Sequence, residues 1–222
     1  MNISKLFEKL AKPTEAKYVK ASRRGFASAI DFWIVLLLRV VALQILGKLW
    51  FEKKILILRE DFIAKFGTEV PKKTPEHLNF IIHSDAFLCA AIIVLIIVLI
   101  GAFYHSYFNS SAWQGTIGKR LMKILIVKED EEKISFSRAS AHYFLSILPL
   151  IFIAYLLSYK ARYQVTFFQA ITASEFNIFL AIVLAGWLQI HLFTKKKTTA
   201  YDLICGTILI NGKSDKKFPW SK

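Results

Sequence analysis

The chain has 222 residues, of which 55% are hydrophobic, a mean hydropathy of +0.44 and a formal net charge of +14. Its apolar residues are gathered into long uncharged runs, which excludes an ordinary soluble domain and leaves an integral membrane protein of one domain. Because Lys and Arg stand beside those runs, the positive charge reads as contact with a bilayer containing anionic lipids, and nucleic-acid binding is not expected.

Residues 1–20 form a basic tail in which Ile3, Leu6, Phe7 and Leu10 recur at helical spacing before Pro13, the pattern of a short interfacial helix. No early apolar core with a small-residue cleavage site is present, so the first span is expected to double as the insertion signal. The membrane domain runs over 21–211, and 212–222 is a second basic tail.

Four spans are predicted, over about 25–46, 86–104, 139–159 and 176–193. The first is impure. Arg24 stands at its mouth, Asp31 lies in its first turns and Arg39 in its middle, and an ionisable group in hydrocarbon costs several kcal/mol (~3) unless it finds a partner. Arg24 and Asp31 share a helix face but are separated by a rise of roughly 10 Å, so each is expected to pair with another segment. Gly25, Ala27, Ser28 and Ala29 make the first turns narrow enough for close approach by another element. Between the first two spans, Ile55, Leu58, Phe62 and Phe66 mark an amphipathic helix that lies on the membrane face or extends span one, with Pro71 and Pro75 breaking it. Span two carries no charge, and span three contains Pro149, which should kink it.

Between spans two and three, Gly115 and Gly118 precede Lys119 and Arg120. A phosphate-binding loop would need glycine at Trp113 and Ser or Thr at Arg120, and the stretch fails both requirements. A turn that sets the two basic residues at headgroup level fits better, followed by a short strand at Ile124–Val127. After span four, Thr207–Ile210 is expected to pair with that strand as a small cytoplasmic hairpin-like element, bringing Asp202 close to Arg24. Twenty of the Lys and Arg fall before span one (residues 1–24), in the 106–138 loop or after span four (residues 194–222), against nine in the other two loops, which places both termini in the cytoplasm. The fold class is therefore an all-α polytopic bundle with one small β element.

With these motifs in place, the sequence resembles the RDD family of small bacterial membrane proteins. Arg24 with Asp31 is similar to the family's first Arg–Asp pair. Gly115-Thr116-Ile117-Gly118-Lys119-Arg120 is similar to its Gly-Thr-Pro-Gly-Lys-Arg element, and Tyr201-Asp202-Leu203-Ile204-Cys205-Gly206-Thr207 to its closing His-Asp-Leu-x-x-Gly-Thr. Ile117 replaces the usual proline, Tyr201 replaces the usual histidine, and His142 stands where many members have arginine, which should weaken a charge network there. The resemblance implies a bacterial inner-membrane location and, loosely, transport, with sodium–proton exchange among the associated activities.

Two readings of Arg24, Asp31, Asp202 and Arg39 follow. In one they form a pathway for a small solute or monovalent cation, and four spans would need a homo-oligomer to enclose it. In the other they are a structural lock in a membrane scaffold, arginine neutralising both carboxylates. The histidines His77, His83, His105, His142 and His191 lack ligand spacing, and no nucleophile elbow is present, so no metal, cofactor or enzymatic activity is expected. Cys89 and Cys205 read as two buried thiols.

Overall fold

Helix dominates the computed structural model, which describes residues 18–67 and 74–212. The predicted interfacial helix before Pro13, Pro71 and nearly all of the C-terminal tail lie outside the described residues. Helix α1 spans Ala21–Leu46, passes through a π-helical turn at Gly47–Phe51 and continues as α2 over Glu52–Phe66. Helix α3 covers Pro75–Ile82, α4 Asp85–Ser110, α5 Ile117–Leu121, α6 Phe136–Tyr163, α7 Phe167–Thr172, α8 Glu175–Gln189 and α9 Ala200–Cys205; β1 is Ile124–Lys128 and β2 Thr207–Asn211.

Three of these stretches are long and apolar enough to cross a membrane: the α1–α2 helix, α4 and α6. The fourth predicted span differs. Its apolar helix α8 is 15 residues long, about 22 Å, short of a hydrocarbon core of about 30 Å, before the chain tightens into a 3-10 turn at Ile190–Leu192.

The burial pattern is inverted relative to a soluble protein. Phe32 and Trp33 are 58% and 66% exposed while the neighbouring Asp31 is 2% exposed. Apolar side chains outside and carboxylates inside is the arrangement that lipid selects.

The chain divides into two units. The first holds residues 18–31 and 105–212 of the described chain. Here β1 and β2 pair antiparallel in the register Val127↔Ile208 and Leu125↔Ile210, the predicted hairpin-like element. Tyr18 bridges Ile210, and the Val19 N–H donates to the Leu209 carbonyl at 3.3 Å, so the chain before α1 is stitched to the same strand. Val19, Ala27, Ile124, Ile126, Ile134, Ala139 and Leu209 close a small core around it. Phe152 and Leu156 of α6 pack with Ala170 of α7 and Leu184 of α8 in a second core. Pro149 sits inside α6 without ending it.

The second unit holds residues 32–104. Helix α2 is the predicted amphipathic helix, continuous with span one. It is ended by Gly67, whose φ of +64° is a left-handed cap that glycine adopts without strain, and the prolines are not what stops it. Pro75 instead opens α3 behind the Thr74 N-cap, because a first-turn proline has no N–H to waste. The rings of Phe62, Phe66, His77 and Phe80 pack between α2 and α3, and Lys54 pairs with Asp85 at 2.6 Å.

Candidate functional site: a buried Arg–Asp–His network beside a polar cavity

Asp202 is the hub. It sits at the third position of α9, whose N-cap Thr199 accepts from the Asp202 N–H while the Asp202 carboxylate accepts from the Thr199 N–H at 2.9 Å. This capping box fixes the carboxylate against its own helix before any distant partner arrives. Its Oδ2 also accepts from Thr199 Oγ1 at 2.8 Å and from Arg24 Nη1 at 3.0 Å. Its Oδ1 accepts from His142 Nε2 at 2.9 Å and from Thr207 Oγ1 at 3.3 Å. With an ionised carboxylate as acceptor, the His142 ring carries its proton on Nε2. Asp202 is fully buried, and five donors converge on it.

Burial alone would raise the Asp202 carboxyl, but the His142 hydrogen bond and charge, the Arg24 guanidinium and the Thr199 backbone N–H together hold it well below the ordinary carboxylate range. A depressed carboxyl contributes stability that is fully present above its unfolded pKa, near 3.8, and lost as pH falls below that value. The thermal midpoint in detergent should therefore be level from pH 7 to about 5 and drop below about pH 4, as a pH series of melting curves will read.

Asp31 is held separately. Thr116 Oγ1 donates to its Oδ2 at 2.5 Å and the Gly118 N–H to its Oδ1 at 2.8 Å. Thr116 caps α5, so the carboxylate lies over that helix's first turn, where free N–H groups and the helix dipole favour negative charge. Gly118 makes the contact feasible. A Cβ there would stand 2.2 Å from the Ala27 carbonyl oxygen and 2.9 Å from the Asp31 carboxyl carbon. The close approach expected of the small residues in span one thus occurs at Ala27; Gly25 has no neighbour within 4 Å of where a Cβ would be.

Arg24 therefore pairs with Asp202, whereas a threonine hydroxyl and a backbone amide hold Asp31. Arg39 is not in the set: its Nε donates to the Ile97 carbonyl at 3.0 Å. The basic pair expected at headgroup level is turned into the protein. Lys119 Nζ donates to Asn109 Oδ1 at 2.9 Å, and the Arg120 guanidinium lies 4.4 Å over the Trp113 ring. Burial lowers the Lys119 ammonium, Asp31 and Asp202 oppose that, and Arg24 adds to it. His142 joins the network through Asp202, and its ring meets Tyr201 edge-on at 4.9 Å. Burial and the Asp202 charge raise the Tyr201 phenol, keeping it protonated. Cys89 and Cys205 are free and buried, and burial likewise raises the Cys205 thiol.

Beside the network lies a cavity of about 100 Å³, lined by Arg24, Asp31, His105, Lys119, His142 and Tyr201 among others. His105 stacks on Tyr143 at its wall. Sequence reasoning did not assign Thr116 or Thr199 to the site, and it met His142 only as a departure from the family pattern. Thr199 was the most legible of them, because Thr-x-x-Asp before an apolar run is a capping-box signal.

A family model described as the RDD family matches residues 18–206. The uncharacterized protein YxaI of Bacillus subtilis (strain 168) is 29% identical over 92 residues, 41% of this chain. The match spans 59% of that relative's length. No solved structure matches.

Proposed function

The chain belongs to the RDD family, and on that premise we propose that it is a multi-pass bacterial inner-membrane protein that binds and moves a small solute at the Arg24 cavity. In this reading the two carboxylates are the frame of the site and not its ligands. The observation that carries it is a polar cavity of about 100 Å³ bordered by buried ionisable side chains in a chain built of lipid-facing helices. Ionisable groups buried within membrane helices characteristically mark solute and ion routes. A bare cation fits less well, because each oxygen of Asp31 and Asp202 already accepts from a protein donor.

The course of the chain supports four crossings. Helix α6 leaves the β1 neighbourhood and runs 28 residues, about 42 Å, and β2 then pairs again with β1. The intervening chain has to return over that distance, and α8 is its longest apolar helix. Both termini then share one face, the cytoplasmic one by the distribution of Lys and Arg. A single chain of this size encloses a route poorly, so the transporting unit is a homo-oligomer.

Purified protein in liposomes carrying a pH-sensitive dye, exposed in turn to sodium, potassium and phosphate gradients, tests the proposal. Saturable flux of at least one of them is expected from wild type and should be abolished by Ser146→Leu, because Ser146 lines the cavity and bonds the Tyr143 carbonyl, not the charge network. Rates no higher than in empty liposomes, from folded protein, would refute it.

A further inference from the structure

We infer that the cavity is an oxyanion site, in which the free edge of the Arg24 guanidinium grips a small carboxylate- or phosphate-type group. The inference rests on the site assignment above and adds the sign and chemistry of what it holds. Arg24 uses one corner, Nη1, on Asp202. Its Nε and Nη2 are buried and have no hydrogen-bond partner among the described residues. Buried donors are almost always satisfied, and two unmet donors on one guanidinium are a strong exception. Nε–H and Nη2–H together form the side-on edge of the guanidinium, two parallel donors spaced to meet two oxygens of a carboxylate or phosphate.

The surroundings agree with that sign. The Lys119 ammonium, the His105 and His142 rings and the Tyr143 and Tyr201 side chains border the same space. Asp31 also borders it and is the one acidic side chain that does; its two oxygens are occupied by Thr116 and the Gly118 amide. The Asp202 charge, behind the cavity wall, is answered by Arg24, His142 and the cap of α9. A volume of about 100 Å³ admits roughly five heavy atoms, the size of acetate or inorganic phosphate. The phosphate of a lipid headgroup presents the same oxygens, and the experiment separates the two sources.

Full-length protein, delipidated in a neutral detergent, is titrated with sodium acetate, sodium phosphate and, as a control for the cation, sodium chloride, following melting temperature and heat of binding. Saturable stabilisation by acetate or phosphate, at least tenfold weaker in Arg24→Lys, supports the free anion as ligand; lysine keeps the charge opposite Asp202 but loses the fork. Should Arg24→Lys fold poorly, Ser146→Leu leaves the network intact and should abolish the same binding. If the free anions do nothing, but vesicles of phosphatidylglycerol stabilise wild type and not these variants relative to vesicles of a phosphate-free glycolipid, the ligand is the headgroup phosphate. Equal response to all three salts, or no response to anion or lipid, overturns the inference. Binding without flux would leave the anion site standing and remove transport. Cation-driven flux without anion binding would do the reverse.

Discussion

Asp202→Asn is expected to destabilise the fold by about 3–5 kcal/mol, the cost of leaving one member of a buried ion pair without its counter-charge. The substitution is nearly isosteric, so packing around α9 barely changes and the effect isolates the charge. Asn replaces one acceptor oxygen by an amide that donates, and five donors currently converge on that carboxylate. Arg24, mostly buried, keeps its charge and loses its one ion-pair partner among the described residues. Melting followed by fluorescence-detected gel filtration in mild detergent should show a large drop in midpoint together with a lower yield. A change within a degree or two of wild type would mean that the pair is solvated and contributes little.

Gly118→Ala should be nearly as damaging for a different reason. The atoms that the new methyl would strike, the Ala27 carbonyl oxygen at 2.2 Å and the Asp31 carboxyl carbon at 2.9 Å, belong to the backbone and the first bonds of α1, so neither can swing aside. Helix α5 has to retreat, which adds an overpacking cost of about 1–3 kcal/mol to the loss of the Gly118 N–H bond to a carboxylate, about 1.5–3 kcal/mol. Gly25→Ala is the matched control. It lies on α1, the helix that Gly118 meets, with nothing within 4 Å of where a Cβ would be, and alanine there should be neutral or stabilising by about 0.5–1 kcal/mol. Equal melting curves for the two alanine variants would show that α5 does not seat on α1 as described.

Much of this arrangement is legible in the sequence because membrane insertion punishes unpaired charge. Asp31 inside an apolar run announces that a partner exists, and its separation from Arg24 announces that the partner is elsewhere. The apolar runs at Ile124–Val127 and Thr207–Ile210, too short to cross a membrane as helices, likewise foretell their pairing, which brings Asp202 to Arg24. The partner of Asp31 was not legible, because a backbone amide leaves no side-chain signature; only Gly118, read as a turn, marked the place. Lys119 and Arg120 look like headgroup contacts in sequence, and only the ring of Trp113 and the amide of Asn109 show them turned inward. Helix α8 is shorter than its hydropathy suggests, since the apolar run continues past the point at which the helix tightens and ends.

The tie between Arg24 and Asp202 carries the rest, since it fixes the guanidinium by one corner and leaves Nε and Nη2 for the anion proposed above. A double-mutant cycle on Arg24→Met and Asp202→Asn measures it most directly. Each single change is predicted to cost about 3–5 kcal/mol, and the double change far less than their sum, giving a coupling of about 2 kcal/mol or more. Additive losses, with no coupling beyond about 0.5 kcal/mol, would contradict a buried pair at this position.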